Sequence, residues 1–465
     1  MNVRACLPGL ATLSIGVRKL NLRLLLPLLP VLLPSLSPLS ASAMDLLEAY
    51  RDALNHDAQF ASAKAGLDAG REKLPQGRAA LLPVINLSAN TLKNEVDYET
   101  RPSGGVLPIN YQSNGWSVSL TQPLLRWQNW AGYKQSELAV AYAEAQYAIA
   151  RQDLLVRVTQ AYFDVLLAQE TLATTQTQKS AIAEQLALTR QGQLIGTTSL
   201  TDTQEAQARF DLATAQEIAA TNELLVRRRA LKIITGKEAQ QLKVLRPGVT
   251  MRRPQPDSID TWATAAEQGS PVVQAAQAGF TMAEREVEKQ RAGHLPTLDL
   301  VATRGHTAQQ TTMVAGILYP GNDTSTTTVG LQLALPLFSG GSTNSRDREA
   351  AALREKARAD LDNARRQAAQ QALQAYLGIT SGLAQVQALE QGLVSSQSAL
   401  ASNRMGYQVG MRANIDVLNA QQQVSSTQRD LAKARFDTLA AQVRLKAAAG
   451  SLADPDIAEL NTLLE

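Results

Sequence analysis

Four short stretches of the chain alternate apolar and polar residues with a period of two. In the first, Ile85, Leu87 and Ala89 face away from Asn86, Ser88 and Asn90. In the second, Trp116, Val118 and Leu120 oppose Ser117, Ser119 and Thr121. The third is imperfect, with Leu298 and Leu300 opposing Asp299 and Val301, and in the fourth Val329, Leu331, Leu333 and Leu335 oppose Gly330, Gln332 and Ala334. This period belongs to β-strands. Each segment is expected to hold roughly the 9–11 residues that cross an outer membrane when tilted. Trp116, Trp127 and Trp130 cluster around the first pair, with Tyr98 and Tyr111 nearby, as an interfacial aromatic girdle would. A soluble sheet with one buried face would also show this alternation.

The rest is helical in pattern. Stretches at Asp45–Ala80 and Ile259–Ala292 each end at a Leu-Pro step, where proline turns the preceding residue extended. From about Ser136 to Arg190 and from about Ser345 to Arg404 the chain runs without proline. At ~1.5 Å per residue such helices extend ~80–90 Å, and their small side chains suit coiled-coil packing.

These patterns occur twice. Pro83 and Pro123 recur as Pro296 and Pro336, and Ala161-Tyr162 recurs as Ala375-Tyr376. Gly192, Gly196, Asp202 and Gly236 recur as Gly406, Gly410, Asp416 and Gly450. One inserted residue accounts for the drift in spacing, and the pattern reads as a duplication. The organisation expected is a leader at 1–43, a first repeat at 44–236 with its strand pair at about 84–123, and a linker at 237–258. A second repeat follows at 259–450, with its strand pair at about 297–336, and then a C-terminal segment at 451–465.

The leader carries Arg4, Arg18, Lys19 and Arg23, an apolar run from Leu24 to Leu33 and Ala41-Ser42-Ala43, the features of a cleaved export signal. Without its four basic residues the chain holds 41 basic against 42 acidic residues, so no nucleic-acid partner is expected. The only cysteine, Cys6, lies in the leader, which excludes disulfides, a cysteine nucleophile and a lipid-attachment cysteine after the apolar run. No P-loop, H-E-x-x-H, G-x-S-x-G or dinucleotide glycine pattern is present, so no enzyme activity and no cofactor are expected. His56, His294 and His306 are scattered, and no metal site is expected.

Four strands cannot close a barrel, and open sheet edges cannot exist in lipid. If the strands span a membrane, several chains must pool them, and three chains would give twelve. The Gly-x-x-x-Gly breaks separate each long helix from the next. Thr198-Ser199 and Asn414 read as helix starts, with Asp202 and Asp416 in the following turns stabilised by the helix dipole. Arg227-Arg228-Arg229 reads as a solvated face near a helix C-terminus.

The tip segments Tyr407–Asn419 and Gly196–Asp202 resemble those of the TolC family of outer-membrane efflux and secretion ducts. So do Gly293–Leu300 at a strand entry, Leu335–Gly341 at a strand exit, Ile234-Thr235-Gly236 and Leu445–Gly450. The resemblance covers essentially all of 44–465. It implies an α+β membrane protein: a homotrimer with a shared twelve-stranded β-barrel, four strands per chain, above a long α-helical coiled-coil tunnel. That tunnel would cross the periplasm from the outer membrane, joined through a periplasmic adaptor (membrane fusion) protein to an inner-membrane ABC or proton-driven pump. It also implies a latch in which Tyr407 and Arg412 bond to Thr201 and Asp202, partly across protomers. An acidic constriction ring would include Asp416; the second acid of the family pattern falls at Asn419, a departure. The repeat equivalent of Asn419 is Glu205, so the charge is expected to have moved there, and the ring is expected to favour cations. The cargo, small molecules or proteins, is left open.

Overall fold

A computed structural model describes residues 43–100, 105–238, 241–246, 248–314 and 316–465. The expected leader therefore lies outside the described residues except for Ala43. The first half runs α1 (Leu46–His56), α2 (Ala58–Arg71), α3 (Lys73–Ala79), β1 (Val84–Thr100), β2 (Gly105–Leu125), α4 (Trp127–Leu194) and α5 (Leu200–Thr235). In the second half α6 (Ile259–Gly269) and α7 (Pro271–Arg291) precede β3 (Thr297–Gln309), a small hairpin of β4 (Thr312–Val314) and β5 (Ile317–Tyr319), and β6 (Asn322–Ala334). The long helices α8 (Ser342–Gln408) and α9 (Asn414–Ala448) follow, then α10 (Asp454–Asn461). The order of helix, strand pair and two long helices thus occurs in both halves.

Two expected lengths were short. The strands hold 17, 21, 13 and 13 residues, beyond the 9–11 of a membrane crossing. Hairpin pairing carries on past the apolar segments, so that polar residues such as Asn94 and Glu95 still pair with Tyr111 and Asn110 and their backbone groups stay satisfied. Helix α4 has 68 residues and α8 has 67, each starting earlier and ending later than the proline-free core of its pattern.

The main core gathers where α1, α4, α5, α9 and α10 meet, around Leu154, Leu155, Val158, Tyr162, Leu231, Leu439 and Ile457. The Tyr162 hydroxyl, fully buried, lies 3.0 Å from the Met44 carbonyl and 2.9 Å from that of Lys243. It thereby ties the backbone at Met44 and at Lys243 to α4. Met44 bridges to Leu242 and Leu245 to Leu464, so that segment runs beside the C-terminal residues.

Two caps start the first helices: Asp45 accepts from the Glu48 amide and Asp57 from the Phe60 amide. Asp57 is buried, and Arg157 of α4 donates to both its oxygens at 2.9 and 3.1 Å. Those bonds hold its carboxyl below the usual range, against the opposing push of burial. The resulting stability is fully present above the unfolded-state value of about 4 and is lost as pH falls through the lower folded-state value. Asp57→Asn should therefore flatten the loss of stability between pH 5 and 2 (roughly the range over which carboxylates titrate) in urea titrations. An unchanged acid slope would show that Asp57 contributes none of it.

The large sheet has the order β1-β2-β3-β6, antiparallel throughout. Its registers place Ile85 opposite Leu120, Ala89 opposite Trp116, Leu120 opposite Ala302, Leu298 opposite Leu333 and Leu300 opposite Leu331. The four alternations thus merge into one apolar face, and the imperfect third strand falls into line with the rest. Asn86, Ser88, Ser119, Thr303 and Gln332 share the other face. The outer edges of β1 and β6 carry no strand partner among the described residues.

Candidate functional site: channel wall and helical tips

Ile85, Leu87, Val329, Leu331 and Leu333 are all exposed, from 65 to 72 %. A single chain thus offers a bare apolar belt on one side of its sheet and polar residues on the other. In water that belt would be unfavourable by the apolar area it leaves uncovered. In a bilayer it is the surface that lipid requires. Above the belt the apolar-face register continues into Arg304 opposite Val118 and His306 opposite Trp116, the mixture of aromatic and polar groups suited to a membrane–water boundary. No described helix is long and apolar enough to cross a membrane.

The wall meets the helices at Arg126, which follows β2 and caps α4. Its guanidinium forms a bidentate pair with Asp299 at the start of β3, Nε to Oδ1 at 2.8 Å, with Nη2 on Oδ2. Asp299 is buried and Pro123 sits opposite it across the sheet. This pair ties the first half to the second at the junction of sheet and helices. Sequence reasoning missed it, because only the pairing of β2 with β3 brings two residues so distant in sequence together.

At the far end of the helices the two turns share one construction. After α4, Gly196 adopts φ +78° and the amides of Thr197 and Thr198 return to the Gly192 carbonyl. After α8, Gly410 adopts φ +76° and the amides of Met411 and Arg412 return to the Gly406 carbonyl. The second glycine of each Gly-x-x-x-Gly supplies a left-handed backbone. The first makes room: a Cβ on Gly192 would lie 2.1 Å from Thr198 Oγ1, and one on Gly406 2.7 Å from Arg412 Cγ.

Ser199 caps α5, as expected, in a reciprocal box with Asp202. The second start differs. Ala413 is the cap of α9, with the Asp416 carboxylate accepting from its amide at 3.3 Å. Asn414 is instead the first helical residue, and its side chain is buried. It accepts from Gln185 of α4 at 2.6 Å and donates to the Asp202 carbonyl at 3.5 Å. The reason is packing: Asn414 faces the other coil, where a polar side chain can satisfy groups on α4 and α5 together.

Of the latch residues, Thr201 is exposed and Tyr407 half-buried. Within one chain the Asp202 carboxylate is engaged by Ser199, and Arg412 Nη1 lies 3.9 Å from Asp416 Oδ2. The structure thus places Arg412 beside Asp416 on its own coil. Glu205 is half-buried on α5. Asn419 accepts from Arg209 of α5 at 2.9 Å, and Arg209 also reaches Gln422. Arg209 was not singled out from sequence, because nothing in its spacing sets it apart from other surface arginines. Asn403, Arg412, Asp416 and Asn419 line one groove between α8 and α9.

Comparison with known proteins bears on this arrangement. The family model described as outer membrane efflux protein matches residues 49–237 and again 262–451. The proteases secretion protein PrtF of Dickeya chrysanthemi is 33% identical over 435 residues, 92% of either chain. The outer membrane protein TolC of Escherichia coli is 31% identical over 446 residues, 94% of this chain and 89% of that one. The solved Campylobacter jejuni CmeC outer membrane channel superposes with a TM-score of 0.76 at 17% identity, covering 91% of this chain and 90% of the other. A four-stranded sheet with an apolar belt on one face, continued by very long paired helices, is thus a fold shared with a solved outer-membrane channel. The chain belongs to the outer membrane efflux protein family, and it serves as the outer-membrane channel of efflux or secretion.

Proposed function

We propose that three copies pool their sheets into one twelve-stranded barrel and their helices into one tunnel, the outer-membrane duct of a tripartite export complex. The observation that carries this is the pair of bare edges, β1 and β6, on a sheet whose apolar belt calls for lipid. Unpaired backbone groups cannot stay in hydrocarbon, so the edges must meet those of other copies. An even twelve lies within the range of membrane barrels. The match of the family model to each half, together with the repeated order of elements, supports an internal duplication. A periplasmic adaptor and an inner-membrane ABC or proton-driven pump supply the energy, and the duct performs no chemistry. The relative named for protease secretion supports exported protein among the cargo, alongside small molecules. Light scattering of the detergent-solubilised particle tests this: the protein mass should be three times that of one chain, and a monomer would refute the reading.

At the tips, Tyr407 and Arg412 of one coil latch to Thr201 and Asp202 of a neighbouring coil. Bidentate arginine–carboxylate bonding suits such a latch. Asp416 and Glu205 form the acidic constriction. Asn419 serves there as the acceptor for Arg209. Asp416→Ala combined with Glu205→Ala should lower cation selectivity several-fold in single-channel recordings; unchanged selectivity would remove the ring.

A further inference from the structure

We infer that the seam between neighbouring copies repeats, residue for residue, the seam inside the chain, with Ala334 of one copy directly opposite Ser88 of the next and Glu349 facing Lys73. This rests on the three-copy reading above and specifies the surface by which the copies recognise one another.

The two hairpins are one unit used twice. Val84 pairs with Thr121 and Thr297 with Ala334, each partner displaced by 213 residues, the spacing that separates Pro83 from Pro296 and Pro123 from Pro336. Inside the chain the units join through β2 and β3, with Thr121 opposite Val301, Leu120 opposite Ala302 and Val118 opposite Arg304. The same displacement carries that junction onto β6 of one copy and β1 of the next. It sets Ala334 opposite Ser88, Leu333 opposite Ala89, and Leu331 opposite Thr91.

The sequence supports this register independently. The apolar residues of β6 and of β1 both fall at odd positions, so these pairings set Leu333 beside Ala89 and keep the apolar faces of the two strands on the same side of the seam. A slip of one residue would bring Leu333 against Ser88 or Asn90 and turn one belt toward the polar side.

The helices agree. Helix α9 lies extensively against both α8 and α4, whereas α5 lies extensively along α4 alone and touches α1 and α9 only briefly. In α9, Ala432, Leu439 and Ala440 are buried; their repeat equivalents on α5, Ile218, Leu225 and Val226, are more than half exposed. The missing neighbour of α5 is the α8 of the next copy. Nearer the membrane, Gln135 of α4 donates to Glu286 of α7 at 3.0 Å. Moved by one repeat (214 residues along the long helix, as from Ala161 to Ala375 and from buried Ser136 to buried Ala350, and 213 for Glu286), these positions are Glu349 on α8 and Lys73 at the start of α3, both exposed in the single chain and opposite in charge. An amide–carboxylate contact inside the chain becomes an ion pair between copies.

Cysteine pairs test the register. With Cys6 replaced by serine, Ala334→Cys/Ser88→Cys and Leu333→Cys/Ala89→Cys are compared with two diagonal controls, Ala334→Cys/Asn86→Cys and Ala334→Cys/Asn90→Cys. Opposed residues alternate between narrow and wide pairs, so one of the two direct pairs falls at the narrow position. Diagonal residues lie roughly 7–8 Å apart, beyond the ~4.5 Å between Cβ atoms that a disulfide spans. After oxidation and boiling in SDS, at least one direct pair should run as a covalent trimer and both controls as monomers. Crosslinking of a control, or of no pair, in particles that still measure as trimers would overturn the register and leave the trimer standing. A monomeric particle before oxidation would overturn both. Lys73→Glu should lower the temperature at which the trimer dissociates and Glu349→Lys in the same chain should restore it; equal loss in the single and double variants would refute the ion pair.

Discussion

Arg126→Ala should be among the more damaging single substitutions in the protein, lowering its stability by about 2–3 kcal/mol, less than the cost of breaking a fully buried pair because the Arg126 side chain is 38 % exposed. Asp299 is 7 % exposed, and its two strong hydrogen bonds come from the Arg126 fork. Removing the guanidinium leaves a carboxylate in a site that water cannot reach well. The site also lies where β2 hands over to α4 and where β3 begins, so the loss falls on the junction of the two halves. Arg126→Met with Asp299→Leu should recover most of the loss, because replacing both charges removes the desolvation penalty together with the attraction. Urea unfolding in detergent measures both. Equal destabilisation in the single and double variants would mean that local packing, and not the stranded charge, sets the cost.

The second large effect concerns the membrane face. Leu331→Arg should destabilise each chain by roughly 2–4 kcal/mol in lipid, the depth-dependent cost of a charge on the outer surface of a barrel. Its neighbour Gln332 lies on the opposite face of the same strand, so Gln332→Arg should fold nearly as well as the unaltered chain and instead shift ion selectivity. The two positions are adjacent in one strand and both exposed in the single chain, so strand-end and burial differences do not enter the comparison. Folding titrations into phospholipid vesicles read the effect. Equal losses at 331 and 332 would show that the sheet does not separate lipid from lumen.

Much of this was legible in the sequence for physical reasons. A strand buried or exposed by face must alternate, so all four strands of the large sheet could be placed, and the left-handed turns at Gly196 and Gly410 required glycine. The small β4–β5 hairpin left no comparable trace, because three-residue strands are too short to show a period. Strand length was underestimated because hydrogen-bond pairing persists into polar residues, which carry no apolar signal. Asn414 was read as a cap because asparagine favours that position, yet the backbone turned one residue earlier, at Ala413, and freed Asn414 to bridge three helices. Arg126, Asp299 and Arg209 are ordinary polar residues in sequence; only the register of distant strands and helices brings their partners near.

Single-channel recording in planar lipid bilayers tests the central claim most directly. Purified particles should insert to give discrete, long-lived, cation-preferring conductance steps of a single size, as one water-filled barrel built from several chains requires. Folded, assembled particles that insert yet never conduct would show that the pooled strands enclose no passage.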